Sequence, residues 1–138
     1  MYCITGSLAR ILIVGLRVSD QVECERGEVF TCNIVGEVEG VGITRKGKDY
    51  IIYIRPTRIL KENSLYRITG VQGRTLYEAL KALSKLPLRR LIELAGTENV
   101  ELTERNGEVA LYINGILTCR GNELGVQVID SFIVECNA

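Results

Sequence analysis

The chain has 138 residues, 46% apolar and 25% charged, and its 17 basic and 17 acidic side chains cancel to a net charge of zero. That balance fits a soluble globular domain over 1–138 with a core of its own, and excludes disordered, collagen-like and polycationic chains. The longest apolar run, Ile11 to Leu16, is far short of the roughly 20 residues that cross a bilayer. The first residues lack the regions of a secretory signal, so a cytoplasmic protein without membrane contact is expected.

From Arg10 to Val18 the even positions Leu12, Val14, Leu16 and Val18 are apolar, with Ile11 and Ile13 opposite them. This predicts a strand buried on both faces. Glu23 to Gly27 reads as a polar turn. Val29 to Gly36 alternates Phe30, Cys32 and Ile34 with Thr31 and Asn33, a half-buried strand pairing back as a hairpin. Gly36, Gly40, Gly42 and Gly47 then allow bending or a bulge. A strand from Lys48 to Arg55 stops at Pro56, which has no N–H for a ladder. Residues 57–63 read as a connection with one helical turn, and Tyr66 to Val71 as a short strand.

Thr75 and Glu78 form a capping-box pattern ahead of a Leu76, Ala79, Leu80 and Leu83 stripe, which predicts a helix. Pro87 kinks or restarts it, Leu88, Leu91, Ile92 and Ala95 repeat the stripe, and Gly96 is a natural stop. The last third reads as an antiparallel meander. Asn106-Gly107 is a favoured type I′ turn, and Asn114-Gly115 is either a second turn or a bulge. Val126 to Glu135 closes with one alternating strand. The order of elements predicts a mainly antiparallel α+β protein: a strongly curved sheet or small barrel of about seven to eight strands, with a kinked helix or helix pair near 75–95.

The charges are segregated. Residues 1–40 carry three arginines against six acids, a net of −3. Residues 41–90 carry twelve basic residues against three acids, a net of +9, and residues 91–138 carry two against eight, a net of −6. Tyr50, Tyr53, Tyr66 and Tyr77 fall in the basic third. Aromatics within a basic segment suggest a polyanion-binding surface. Alternation turns Tyr50 and Tyr66 inward and Tyr53, Arg55 and Arg67 outward. If their strands are neighbours, these three form one surface: an aromatic face for a base flanked by guanidiniums for phosphates. Arg45, Lys46 and Lys48 would clamp a backbone above it.

Against this stand two other readings. The charges solvate strand edges and guard them from aggregation, or the basic third pairs with acidic surfaces in a homo-oligomer or with another protein. DNA, RNA or such an assembly are the expected partners. Histidine is absent, which removes the commonest general acid–base, and the residues 36–47 do not form a phosphate-binding loop. No catalytic residue, cofactor or metal site is expected.

The five cysteines, Cys3, Cys24, Cys32, Cys119 and Cys136, are an odd number without C-x-x-C spacing. The default is a small core residue, and Cys32 and Cys119 fall on strand positions where an inert thiol is expected. A composition poor in Met, Gln, His and Trp is thermophile-like, and hyperthermophile proteins carry intracellular disulfides. Cys3 and Cys136 are the first candidate pair.

Overall fold

A computed structural model describes residues 1–19, 21–25, 31–34, 40–46, 49–56, 58–96 and 99–137. In chain order the elements are β1 (Tyr2–Ile4), α1 (Gly6–Val18), β2 (Val22–Glu25), β3 (Thr31–Ile34), β4 (Val41–Lys46), β5 (Asp49–Ile54), β6 (Ile59–Glu62) and β7 (Leu65–Thr69). Helices α2 (Gly70–Leu83) and α3 (Leu88–Ala95) follow, then β8 (Val100–Arg105), β9 (Glu108–Ile113), β10 (Ile116–Asn122), β11 (Gly125–Ile129) and β12 (Ile133–Glu135). The protein is α+β, with a four-stranded antiparallel sheet ordered β12-β1-β5-β4 and a six-stranded one ordered β6-β7-β11-β10-β9-β8. The pair β2-β3 is a separate hairpin. Neither large sheet closes into a barrel, which corrects that expectation.

The segment expected as the first buried strand is helix α1. Its apolar residues alternate, but they also recur at helical spacing, and burial takes Leu8, Ile11, Leu12 and Leu16 together. The charges discriminate. Arg10 and Arg17 have opposite parity, so a strand would put one of them into each face; seven residues apart, they share one face of a helix. Both are exposed. An all-round apolar run is ambiguous between buried strand and buried helix on period alone.

Helix α1 lies against β5 on one side and α2 on the other, and α2 in turn lies on β7, β9, β10 and β11. Helices α1 and α2 thus lie between the two sheets, and Ile4, Leu12, Ile52, Ile54, Ile68, Leu76, Leu80 and Leu111 fill the space between them. Helix α2 begins five residues before the expected capping box. Thr69 is its N-cap, and the Thr75 hydroxyl donates back to the Val71 carbonyl at 2.9 Å instead of capping. Its predicted stripe Leu76, Ala79, Leu80 and Leu83 is buried. In α3 only part of the stripe is covered: Leu91 is buried, whereas Leu88 and Ile92 are exposed.

Three other segments differ from expectation. Glu23 to Glu25 belongs to β2, and Thr31–Ile34 pairs with β2, not with the residues 10–18. Residues 59–62 are strand β6, paired to β7 through Ile59↔Ile68. It is a charged, exposed edge strand, the kind that hides its alternation and discourages edge-to-edge pairing. The strand expected from Val126 to Glu135 is cut by a 3-10 turn at Asp130–Phe132. Its first half, β11, joins the six-stranded sheet and its second half, β12, joins the other.

The meander forms as expected. Asn106-Gly107 and Asn114-Gly115 both have positive φ at each residue, 53° and 78°, then 53° and 77°, as a type I′ turn requires. Asn114-Gly115 is therefore a hairpin; the irregularity lies further on, between Leu117 and Cys119. Tyr77, only 6% exposed, donates its hydroxyl to the Gly107 carbonyl at 2.9 Å and ties α2 to the first of these turns. Tyr77→Phe is expected to cost about 1 kcal/mol, read as a lower urea midpoint with an unchanged m-value.

The chain ends meet in the four-stranded sheet. Cys3 and Cys136 form a disulfide with Cα atoms 5.9 Å apart, and the Cys136 amide donates to the Met1 carbonyl at 3.0 Å. The two sheets touch nearby, where the Tyr2 and Tyr66 rings lie 5.5 Å apart and Lys61 Nζ sits 5.3 Å from the Tyr66 centroid. Burial, and then the Glu135 carboxylate, raise the Tyr2 hydroxyl above its ordinary pKa.

Candidate nucleic-acid interface

Alternation along the six-stranded sheet decides which side chains meet the helices. Ile68, Val109, Leu111, Ile113, Val126 and Val128 are buried, so the intervening residues occupy the opposite face. Register sets Leu60, Arg67, Gln127, Arg120, Ala110 and Thr103 in one row across all six strands. Two arginines therefore flank one glutamine at the centre of the sheet. With strands ~4.8 Å apart, their backbones are ~10 Å from each other.

Arg120 Nε donates to Gln127 Oε1 at 2.5 Å, which fixes the guanidinium along the sheet. The Arg67 guanidinium lies 3.7 Å from the Glu62 carboxylate, and about half of each side chain is exposed. A pair of that kind is worth ~0–1 kcal/mol and leaves Arg67 able to exchange its partner for a phosphate. Beside the row is a depression of about 410 Å³, lined by Arg67, Thr69, Arg120, Asn122 and Gln127, with Glu108 among its walls. A second, of about 570 Å³, is lined by Thr103, Arg105, Glu108, Ala110 and Tyr112. Glu108 belongs to both and pairs in register with Arg105. Tyr112 is half-buried on this same face, one step along β9 from the inward Leu111.

The surface thus combines guanidiniums, which bind phosphates, with carboxamides and hydroxyls, which hydrogen-bond base edges or sugars, and one aromatic ring. Cys119 lies on the inward side of the sheet, 1% exposed, and burial pushes its thiol up to about 12, so it is an inert core residue as expected.

The six residues singled out from the sequence do not form one patch. Tyr53 and Arg55 share a face of β5 and its end, as alternation predicts. Arg67 is on β7 of the other sheet, because β5 pairs with β1 and β4 while β7 pairs with β6 and β11. Arg45 is opposite Tyr50 and so on the reverse face of its hairpin from Tyr53. Lys46 ends β4 opposite Asp49, and Lys48 lies outside the described residues.

Tyr53 also has a packing role. It pairs with Gly42, where a Cβ would stand 2.4 Å and 2.6 Å from its Cε2 and Cδ2 atoms, so the ring lies across the glycine. An aromatic ring covering a cross-strand glycine is a known sheet-stabilising arrangement. Conversely, the charge pattern does not point to Arg120, Gln127 or Tyr112, since they lie in the acidic third. The signal available for them is the pair of Asn-Gly turns, which fixes the register of the meander and hence its outward residues.

No protein-family model matches the chain, and neither a curated protein nor a solved structure matches it.

Proposed function

We propose that the protein is a non-enzymatic nucleic-acid-binding subunit that holds a single strand across the outer face of the six-stranded sheet. The observation that supports this most is the Arg67–Gln127–Arg120 row beside its polar groove. In this reading Arg67 and Arg120 bind backbone phosphates, Gln127, Asn122 and Thr69 hydrogen-bond bases or sugars, and Tyr112 stacks on a base. The Tyr53 and Arg55 face of the other sheet offers a smaller second contact. A sheet face suits a splayed strand better than a duplex, whose grooves call for a protruding element.

The test is a titration of labelled single-stranded and double-stranded DNA and RNA at several salt concentrations. Two neutralised phosphates predict micromolar single-strand binding with a shallow log–log salt slope of about −1.4, at ~0.7 per phosphate. Arg67→Ala/Arg120→Ala should abolish that slope and weaken binding by about 100-fold or more, since hydrogen bonds to charged groups are worth ~1.5–3 kcal/mol each. Absence of binding at low salt would sink the proposal.

A second reading is supported by Leu60 and Leu124, 41% and 73% exposed. Leu60 ends the arginine row and Leu124 lines its groove. Exposed leucines beside mixed charge also suit a protein–protein assembly module, in which the basic middle third meets acidic surfaces. A defined oligomer by light scattering, without nucleic-acid binding, would favour it.

A further inference from the structure

The β2-β3 hairpin places two cysteines directly opposite each other. Its register runs Val22↔Ile34, Glu23↔Asn33, Cys24↔Cys32 and Glu25↔Thr31. Directly opposed residues of an antiparallel pair have Cα atoms ~4.5 Å or ~5.5 Å apart, depending on their place in the ladder. Both spacings fall within the ~4.4–6.8 Å that a disulfide bridges. Directly opposed positions share one face of an antiparallel pair. A pair of thiols so placed has a high effective concentration, because only seven residues separate them along the chain.

The other cysteines narrow the possibilities. Cys3 and Cys136 are bonded to each other, and Cys119 is buried with its thiol pushed up to about 12. Since the thiolate is the attacking species, Cys119 does not compete for either hairpin cysteine in the folded protein. Only Cys24 and Cys32 are left for each other.

We propose that Cys24 and Cys32 form a second disulfide, so that the oxidised chain carries two disulfides and one sealed thiol. With a small-molecule disulfide such as oxidised glutathione as oxidant, one hairpin thiol loses its proton and attacks a glutathione sulfur. This breaks the small disulfide and expels one glutathione thiolate. The second hairpin thiolate then attacks the mixed disulfide and expels the other. Two protein thiols become one disulfide, and the two protons they lose pass to the two expelled glutathione thiolates, so one small disulfide becomes two thiols. The cross-link pins the hairpin whose strand β3 lies against β4 and whose strand β2 lies against α1. Because the fifth cysteine is sealed, the two pairs cannot reshuffle without unfolding.

The test is to incubate the folded protein with oxidised glutathione, then unfold it in urea with excess iodoacetamide and no reductant. Intact mass should show a single adduct, and tryptic mapping should place it on Cys119. The peptides 18–26 and 27–45 should travel as one cross-linked species, separate from the linked 1–10 and 121–138. Cys24→Ser should leave Cys32 unlinked to any other cysteine, carrying either a second iodoacetamide adduct or glutathione, with the Cys3–Cys136 link unchanged. In the unsubstituted protein, three adducts including Cys24 and Cys32, glutathione left on either, or a link from either to another cysteine would overturn the proposal.

Discussion

Replacing Cys3 and Cys136 together by serine is expected to lower the stability of the oxidised protein by about 5 kcal/mol, from the loop-closure entropy of so long a loop. The disulfide spans a sequence separation of 133 residues, so it constrains nearly the whole unfolded chain. Against a total of ~5–15 kcal/mol for an ordinary domain, a loss of that size removes about a third or more of the stability. The folded state loses support as well, because β1 and β12 are short strands at the side of the four-stranded sheet where the chain ends meet. Urea curves under non-reducing conditions measure it. The serine variant is the better probe than reductant, which would also open any bond between Cys24 and Cys32. A difference below about 1 kcal/mol would mean that the unfolded chain is already compact enough to hold its ends together.

The second large effect has an unusual sign. Gly15→Ala within an exposed stretch of helix would be stabilising by about 1 kcal/mol through propensity alone. Here the added methyl would lie 2.3 Å from the Ala79 carbonyl oxygen, 2.8 Å from its carbon and 3.1 Å from Leu83 Cγ. The first two are backbone atoms of α2 and cannot swing aside. Glycine at this point lets α1 and α2 touch backbone to backbone, and a side chain forces them apart along their whole crossing. A net loss of about 2 kcal/mol is expected for alanine, with valine worse, in the range of core overpacking. An unchanged or raised urea midpoint for Gly15→Ala would show that the helices are not so closely crossed.

What could be read from the sequence follows the distance over which each signal acts. The Asn-Gly turns, the apolar stripe of α2 and the alternation of β5 and β7 depend on nearby residues, and all appear in the fold. Helix α1 was hidden because its apolar residues occupy nearly every position, which leaves Arg10 and Arg17 as the only periodic signal. The start of α2 was hidden because Gly70 and Gly73 look like turn residues, whereas there they open a helix packed on the sheet. The division of Arg67 from Tyr53 is of another kind. Each projects outward as alternation predicts, but which sheet a strand joins depends on partners far along the chain, and no local pattern encodes it. That same long-range pairing brings Arg120 and Gln127, from the acidic third, beside Arg67. The overall charge split is a poor guide to the surface because one sheet joins strands of the basic third side by side with strands of the acidic third.

The account turns on whether the outer face of the six-stranded sheet receives a nucleic-acid strand. An amide chemical-shift titration of the folded, oxidised protein with a short single-stranded oligonucleotide tests this most directly. The account predicts shifts concentrated on Arg67, Thr69, Tyr112, Arg120, Asn122 and Gln127, which lie on four different strands and share only that face, and their loss in Arg67→Ala/Arg120→Ala. No shifts at low salt, or shifts confined to other surfaces and unchanged in that variant, would contradict it.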